Sequence, residues 1–194
     1  RGKKVREIPD GVISMLVTPM HADEEINFEA FYREIDWCAN QGALGVVVTP
    51  SIGEFATLGE YERGECLETC GEYLKEELPD LFRIAGIAAT STARSIEYAQ
   101  IALELGYEAG QMNPPYYWNQ SEETLYRHYA KVAEVGLPLV VYNNPALSKF
   151  DIKPKFMGRL AKIPGVIAIK EVKTDRHKEL VPLFHEVRAA NPQV

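Results

Sequence analysis

The sequence has 194 residues, a length that suffices to bury a hydrophobic core. Hydrophobic residues make up 46% and charged residues 25%, a composition that argues against a disordered or fibrous protein. Lysine and arginine total 21 against 28 aspartate and glutamate residues, so the net charge is −7, whereas nucleic-acid-binding proteins carry a basic surplus. The apolar runs are too short for a membrane-spanning helix or a signal peptide. We therefore expect neither a nucleic acid nor a membrane among the partners.

The cysteines indicate a reducing compartment. The sequence contains only three cysteines, Cys38, Cys66 and Cys70, an odd number without the spacing of a disulfide framework. We therefore expect reduced thiols in a cytoplasmic protein. Cys66 and Cys70 lie four residues apart on a predicted helix and share one face. A structural role is favoured over metal binding, because no His or Cys accompanies them at ligand spacing.

Short apolar or β-branched runs alternate along the chain with amphipathic stretches. The runs predict buried strands at Val12–Val17, Gly45–Val48, Ile84–Ala88, Ala109–Met112, Pro138–Tyr142 and Val166–Ile169. The stretches predict helices at Phe28–Ala39, Glu60–Lys75, Ala93–Leu105, Ser121–Val135, Lys153–Ala161 and Asp175–Ala189. Asn27 is a predicted N-cap, Gly42, Gly106 and Gly136 are predicted helix ends, and Trp37 is predicted to lie in the core.

Six strand–helix repeats predict an α/β fold with a parallel sheet, either doubly wound or a (β/α)₈ barrel. A dinucleotide-binding doubly wound sheet needs a glycine-rich turn after its first strand, whereas Thr18–Asp23 contains no glycine. Eight units would require about 250 residues, so the chain supplies about six units of a barrel. We expect one catalytic domain over residues 1–194 that lacks strands 7 and 8 and the C-terminal helices. The open sheet edges of such a fragment would favour poor solubility or a rearranged assembly.

Ligands of parallel βα folds bind at the carboxyl ends of the strands, and two such ends carry reactive side chains. Lys170 follows the buried run Val166–Ile169, where an amine is costly unless it is neutral, paired or used in chemistry. A neutral amine can attack a carbonyl to form a Schiff base, although Lys170 could also reach the rim or pair with Glu171. Tyr142 ends the preceding strand, where its phenol could transfer protons or simply pack in the core.

A third strand end carries a turn suited to an anion. The hydroxyl of Ser51 and the backbone amides of Ile52 and Gly53 could hold a carboxylate, although a plain βα turn would also explain Gly53. An amine for a ketone, a phenol for proton transfer and a turn for a carboxylate together suit an α-keto acid.

Five segments, each at a predicted strand end, together resemble a known family. In chain order they are Leu16–Met20, Gly53–Leu58, Pro115–Tyr117, Tyr142–Pro145 and Ile169–Glu171. The chain resembles, from about Gly11 to Val194, the dihydrodipicolinate synthase / N-acetylneuraminate lyase family of class I, pyruvate-dependent aldolases. The resemblance implies a (β/α)₈ barrel followed by a C-terminal helical region, and a homotetramer built from two dimers.

The resemblance also implies a role for each candidate residue. Lys170 corresponds to the Schiff-base lysine and Tyr142 to the proton-relay tyrosine. Ser51 corresponds to the first hydroxyl of the family's Gly-Thr-Thr-Gly-Glu turn, which helps to hold the pyruvyl carboxylate and joins the relay. Tyr117 corresponds to a tyrosine that in many members reaches into the neighbouring subunit's site. The implied partners are a 2-keto acid such as pyruvate and an aldehyde, with no metal or organic cofactor.

Two departures from the family pattern bear on the substrate. The turn reads Pro50–Ile52 here, so the second hydroxyl is lost while the amide of Ile52 remains. Dihydrodipicolinate synthases carry an arginine for the carboxylate of aspartate semialdehyde near the position of Leu147, which offers no donor. We therefore favour aldol cleavage or condensation of a 2-keto-3-deoxy sugar acid, with Asn144 contacting a hydroxylated substrate. Synthase activity, a hydratase-aldolase and a non-catalytic keto-acid sensor remain alternatives.

Overall fold

The protein is described by a computed structural model that covers residues 6–172 and 177–194, and within these residues strands and helices alternate. The strands are β1 (Ile13–Met15), β2 (Gly45–Val48), β3 (Phe82–Gly86), β4 (Ala109–Met112), β5 (Leu139–Asn143) and β6 (Val166–Glu171). The helices are α1 (Phe28–Asn40), α2 (Glu60–Glu77), α3 (Thr92–Leu105), α4 (Glu122–Ala133), α5 (Pro145–Ser148), α6 (Pro154–Ala161) and α7 (His177–Ala190). A 3₁₀ turn at Ser51–Gly53 follows β2.

All six predicted strands and all six predicted helices are confirmed, with small displacements of their ends. The predicted start of the last helix at Asp175 lies outside the described residues, and α7 is described from His177. Helix α5 is only one turn long and leaves no periodic pattern, so the sequence does not predict it.

The strands form one six-stranded sheet in chain order, from β1 to β6. The pairs β1–β2, β2–β3 and β5–β6 are parallel. A doubly wound sheet reverses its strand order at a switch point, and this sheet does not. The strand order is that of a (β/α)₈ barrel, of which the chain supplies six βα units.

The chain comprises two compact units, each with its own core. The first contains the residues up to Ile87 together with Tyr98–Gly110, and the second contains Ala88–Glu97 together with the residues from Gln111 onward. In the first unit β2 is buried at every position, and in the second unit β5 is. Strands covered on both faces read as continuous apolar runs, which explains why the sequence predicts them well.

The helix ends follow the predicted chemistry. The Asn27 side chain accepts a hydrogen bond from the backbone N–H of Ala30 at 2.9 Å and so caps α1. Gly42, Gly106 and Gly136 adopt φ angles of +89°, +81° and +92°, the left-handed conformation that closes a helix at low cost for glycine. These predicted ends are confirmed.

The prediction that Trp37 lies in the core is wrong, since the side chain is 64% exposed. The buried stripe of α1 is formed by Phe31, Ile35 and Cys38, which recur every three or four residues. Trp37 follows Ile35 by two residues, about 200° further around the helix, and therefore points away from the stripe. No helix within the described ranges is both long and apolar enough to cross a membrane.

Candidate functional site

The ends of β5 and β6 bring together the two residues predicted to carry the chemistry. The parallel register pairs Tyr142 with Lys170. The Nζ atom of Lys170 lies 4.1 Å from the centroid of the Tyr142 ring, within the range of a cation–π contact. Because both residues stand near the carboxyl ends of adjacent parallel strands, their side chains occupy the region where this fold binds ligands.

The environment of Lys170 favours a nucleophilic amine. The residue is half-buried, and this burial lowers the pKa of its amine below the usual value. Desolvation has this effect because it disfavours the charged form. A larger fraction of neutral amine at neutral pH is what addition to a carbonyl requires.

The phenol of Tyr142 is held in place by Asn144, two residues further along the chain. Its side chain is 5% exposed, and the Nδ2 atom of Asn144 donates a hydrogen bond to the phenol oxygen at 2.9 Å. This bond occupies a lone pair of the oxygen and leaves the phenol proton available for transfer. Asn144, predicted to contact the substrate, is thus also hydrogen-bonded to Tyr142, the residue predicted to transfer protons.

Asn143 is a site-supporting residue that the sequence analysis did not single out. It is fully buried, and its Nδ2 donates to Glu171 Oε2 at 2.9 Å and to the carbonyl of Ile152 at 3.2 Å. Its Oδ1 accepts from the backbone N–H of Ile152 at 3.1 Å. The amide therefore joins β5 to the residue that directly follows Lys170. The signal in the sequence was an asparagine inside a buried strand, which must find hydrogen-bond partners.

The turn predicted to bind a carboxylate lies in the first unit. The backbone N–H of Gly53 donates to the carbonyl of Pro50 at 3.0 Å, and the Gly53 carbonyl accepts from Thr18 Oγ1 at 2.7 Å. The Gly53 amide is therefore engaged within the turn, and the first N–H groups of a helical turn, those of Ser51 and Ile52, are the ones that lack an intrahelical acceptor. The part of Gly53 in binding a carboxylate remains a prediction.

Tyr117 lies beyond β4 in the second unit and is strongly exposed. Its ring is 69% exposed and meets the ring of Trp118 edge to face, with the centroids 4.9 Å apart. An exposed aromatic pair is typical of surfaces that contact another protein chain. The predicted reach of Tyr117 into a neighbouring subunit's site remains a prediction.

The cysteines have the properties of structural residues. Cys38, Cys66 and Cys70 are free thiols and buried. Burial raises the pKa of Cys66 to about 12 and that of Cys70 well above its usual value, so both thiols stay protonated at neutral pH. In the part of the chain that the structure describes, no group of three His, Cys, Asp or Glu residues is arranged to hold a metal ion.

Fold and site together define a protein of the (β/α)₈-barrel class that carries a strand-end lysine suited to Schiff-base chemistry. The chain belongs to the dihydrodipicolinate synthetase family, whose model matches residues 8–188. The family predicted from the sequence is thereby confirmed.

Curated relatives support this membership. The chain is 35% identical over 162 residues to a 4-hydroxy-tetrahydrodipicolinate synthase of Herminiimonas arsenicoxydans, covering 83% of this chain and 54% of the relative. It is 37% identical to a 4-hydroxy-tetrahydrodipicolinate synthase of Azoarcus sp., with the same two coverages of 83% and 54%. The chain thus spans about half the length of these relatives.

Solved structures confirm the fold class. YagE from E. coli K12, a prophage protein of the dihydrodipicolinic acid synthase family in complex with pyruvate, matches with a TM-score of 0.88 and 29% identity over 94% of this chain and 61% of its own. The chloride-inhibited dihydrodipicolinate synthase from Acinetobacter baumannii, complexed with pyruvate, matches with a TM-score of 0.85 and 30% identity over 93% of this chain and 61% of its own.

Proposed function

We propose that the protein is a lyase of the class I aldolase type, in which Lys170 forms a Schiff base with pyruvate or another 2-keto acid. The observation that carries the proposal is the Lys170 amine, half-buried and 4.1 Å from the Tyr142 ring centroid at a strand end. The pyruvate complexes of two solved relatives support the choice of a keto acid.

The proposed reaction begins when the neutral amine of Lys170 adds to the carbonyl at C2. The carbinolamine loses one water molecule and becomes an imine, which withdraws electrons from C3. Loss of a proton from C3 gives an enamine that attacks an aldehyde, and the reverse direction breaks the bond between C3 and C4. Tyr142 would transfer the protons, with its oxygen positioned by Asn144. The imine is the electron sink, so the proposal includes neither a metal nor an organic cofactor.

The remaining site residues follow from the family resemblance. Ser51 and the amides of Ser51 and Ile52 would hold the substrate carboxylate, with Gly53 shaping the turn. Ser51 and Tyr117 would also take part in the proton relay. Tyr117 would act from the neighbouring subunit of a homotetramer built from two dimers, for which its 69% exposure leaves it accessible.

The favoured substrate is a 2-keto-3-deoxy sugar acid. Leu147, at the position where the synthases place an arginine, lies on α5 and is 49% exposed. Its side chain offers no donor to the second carboxylate that aspartate semialdehyde would bring. A hydroxylated acceptor needs no positively charged side chain to bind it. Asn144, three residues before Leu147, supplies a polar side chain instead.

A second candidate is 4-hydroxy-tetrahydrodipicolinate synthase activity, which the names of the curated relatives favour. Substrate profiling distinguishes the two candidate activities. We expect cleavage of 2-keto-3-deoxy sugar acids and little condensation of pyruvate with aspartate semialdehyde. The opposite preference would replace the first candidate with the second, and dehydration of the aldol product would indicate a hydratase-aldolase.

Reductive trapping tests the Schiff base itself. Incubation with pyruvate and borohydride should add one reduced pyruvyl group at Lys170, and the variant Lys170→Ala should gain none. Binding of pyruvate that is unchanged in Lys170→Ala and leads to no turnover would instead identify a keto-acid sensor.

A further inference from the structure

The turn between β2 and α2 is held in a strained backbone conformation. Thr49 and Glu54, the residues that bracket Pro50–Gly53, have φ angles of +51° and +56°. Such left-handed conformations cost free energy in residues other than glycine, and a β-branched residue such as threonine adopts them only under constraint. Thr49 is fully buried, so neighbouring groups must stabilise its conformation.

One constraint is the contact between Thr49 and Gly86 at the end of β3. Thr49 Oγ1 donates a hydrogen bond to the Gly86 carbonyl at 3.2 Å. A Cβ atom at Gly86 would collide with the Thr49 carbonyl oxygen, so only glycine allows the two backbones to approach this closely. The conformation of the turn thus depends on the position of the Gly86 carbonyl.

The same carbonyl is fixed by a buried arginine. Arg63 lies on α2, is 3% exposed, and donates from Nη2 to the Gly86 carbonyl at 2.7 Å. Its guanidinium carbon lies 4.1 Å from the ring centroid of Tyr98 and 4.6 Å from that of Phe55. Phe55 directly follows Glu54, so the guanidinium contacts both the end of β3 and the first residue after the turn.

This arrangement requires arginine in particular. A buried charge needs hydrogen bonds and polarisable neighbours, and a planar guanidinium can stack on two aromatic rings while donating in its own plane. A lysine ammonium has neither the plane nor the fork of donors. We call Arg63, Phe55, Tyr98 and the Gly86 carbonyl the Arg63 clamp.

We propose that Arg63 is a positioning residue that holds the Ser51–Gly53 turn in the shape that recognises the carboxylate of a 2-keto acid. This inference rests on the proposed function, in which Ser51 and the amide of Ile52 bind that carboxylate. The clamp acts on carboxylate recognition and leaves the amine chemistry of Lys170 unchanged.

The test compares pyruvate with methyl pyruvate, which keeps the ketone and lacks the charged carboxylate. For the 194-residue chain and its variants, the ketone concentration that gives half-maximal trapping by borohydride is measured. In Arg63→Met this concentration should rise roughly ten- to hundredfold for pyruvate, since a displaced binding group costs about that much. For methyl pyruvate it should stay unchanged. A purely structural role would move both ketones alike, and that result would overturn the inference.

Two further variants make the outcome independent of folding. Tyr98→Leu removes one ring of the clamp while keeping Arg63, and it should show the same selective loss for pyruvate. Leu74→Ala removes a fully buried side chain from the same helix α2, outside the clamp. It should lower the melting temperature without changing the ratio between the two ketones. If Arg63→Met does not fold by circular dichroism, Tyr98→Leu decides the question.

Failure of the clamp and failure of the proposed function give different results. If the unchanged protein traps no pyruvate at Lys170, the proposed function is wrong and the clamp inference falls with it. If Ser51→Ala raises the half-maximal concentration for pyruvate but Arg63→Met and Tyr98→Leu do not, the function stands and the clamp is wrong. If Ser51→Ala has no effect but Arg63→Met and Tyr98→Leu raise the half-maximal concentration for pyruvate alone, the backbone amides bind the carboxylate without the hydroxyl and the clamp inference stands. If none of the three variants has an effect, the clamp inference is wrong.

Discussion

The chemistry assigned to Lys170 depends on two features of its surroundings. Burial lowers the pKa of the amine, which favours the neutral nucleophile, and the centroid of the Tyr142 ring lies 4.1 Å from Nζ. We therefore expect separate roles for the two parts of Tyr142, with the ring shaping the surroundings of the amine and the hydroxyl moving protons.

Replacing Tyr142 with Phe separates these roles. Because Tyr142→Phe keeps the ring, trapping of pyruvate at Lys170 should persist. Exchange of the C3 protons of pyruvate for deuterium, followed by NMR, should slow by roughly 10²–10⁴, the usual contribution of a general acid or base. Unchanged exchange in Tyr142→Phe would remove Tyr142 from the proton relay.

Among the secondary-structure elements, strands β5 and β6 are connected by hydrogen bonds from the buried side-chain amide of Asn143. Its three hydrogen bonds reach Glu171 and both backbone groups of Ile152. Losing them removes the partners that Asn143 supplies to the buried backbone groups of Ile152, which costs more than the net value of a typical hydrogen bond. The stability of this strand end and the placement of Lys170 therefore depend on the same side chain.

We expect Asn143→Leu to lower the free energy of unfolding by about 1–3 kcal/mol, the cost of unsatisfied buried groups. Asn144→Leu is the matched control, because Asn144 is the adjacent asparagine but is only half-buried. It should cost less stability while slowing proton transfer through the lost bond to Tyr142. Urea unfolding measures both variants, and equal losses of stability would contradict the role given to Asn143.

A second pair of elements is joined by a histidine. His128 of α4 is 4% exposed and shares a 2.9 Å hydrogen bond between its Nδ1 and Oγ1 of Thr92, at the start of α3. Burial lowers the pKa of His128 to about 4. Below pH 6.5, the ordinary histidine pKa being about 6.5, this histidine binds a proton in the unfolded chain but stays neutral in the folded chain until the pH approaches 4. Acid therefore destabilises the fold.

The free energy of unfolding should therefore fall as the pH drops from 6.5 towards 4, by about 3 kcal/mol over the whole interval. In His128→Gln this contribution to the pH dependence should vanish. His185→Gln, which replaces an exposed histidine on α7, is the matched substitution for comparison. A His128→Gln variant with the same pH dependence as the unchanged protein would refute the assignment.

At the scale of the whole molecule, the sequence predicts the fold well because parallel strands buried on both faces leave continuous apolar runs. The strand-end rule then predicts the proximity of Lys170 and Tyr142, since neighbouring parallel strands end at the same edge. The roles of Asn143 and Arg63 depend on contacts between distant parts of the chain. No local pattern reveals that Arg63 stacks on Tyr98, 35 residues further along the sequence.

Peptide mapping after treatment with pyruvate and borohydride tests whether Lys170 forms the Schiff base. We expect a single modified residue, Lys170, and no modification in Lys170→Ala. We also expect methyl pyruvate to be trapped at the same residue. A protein that remains unmodified, or that is modified at another lysine, would show that Lys170 does not form the Schiff base.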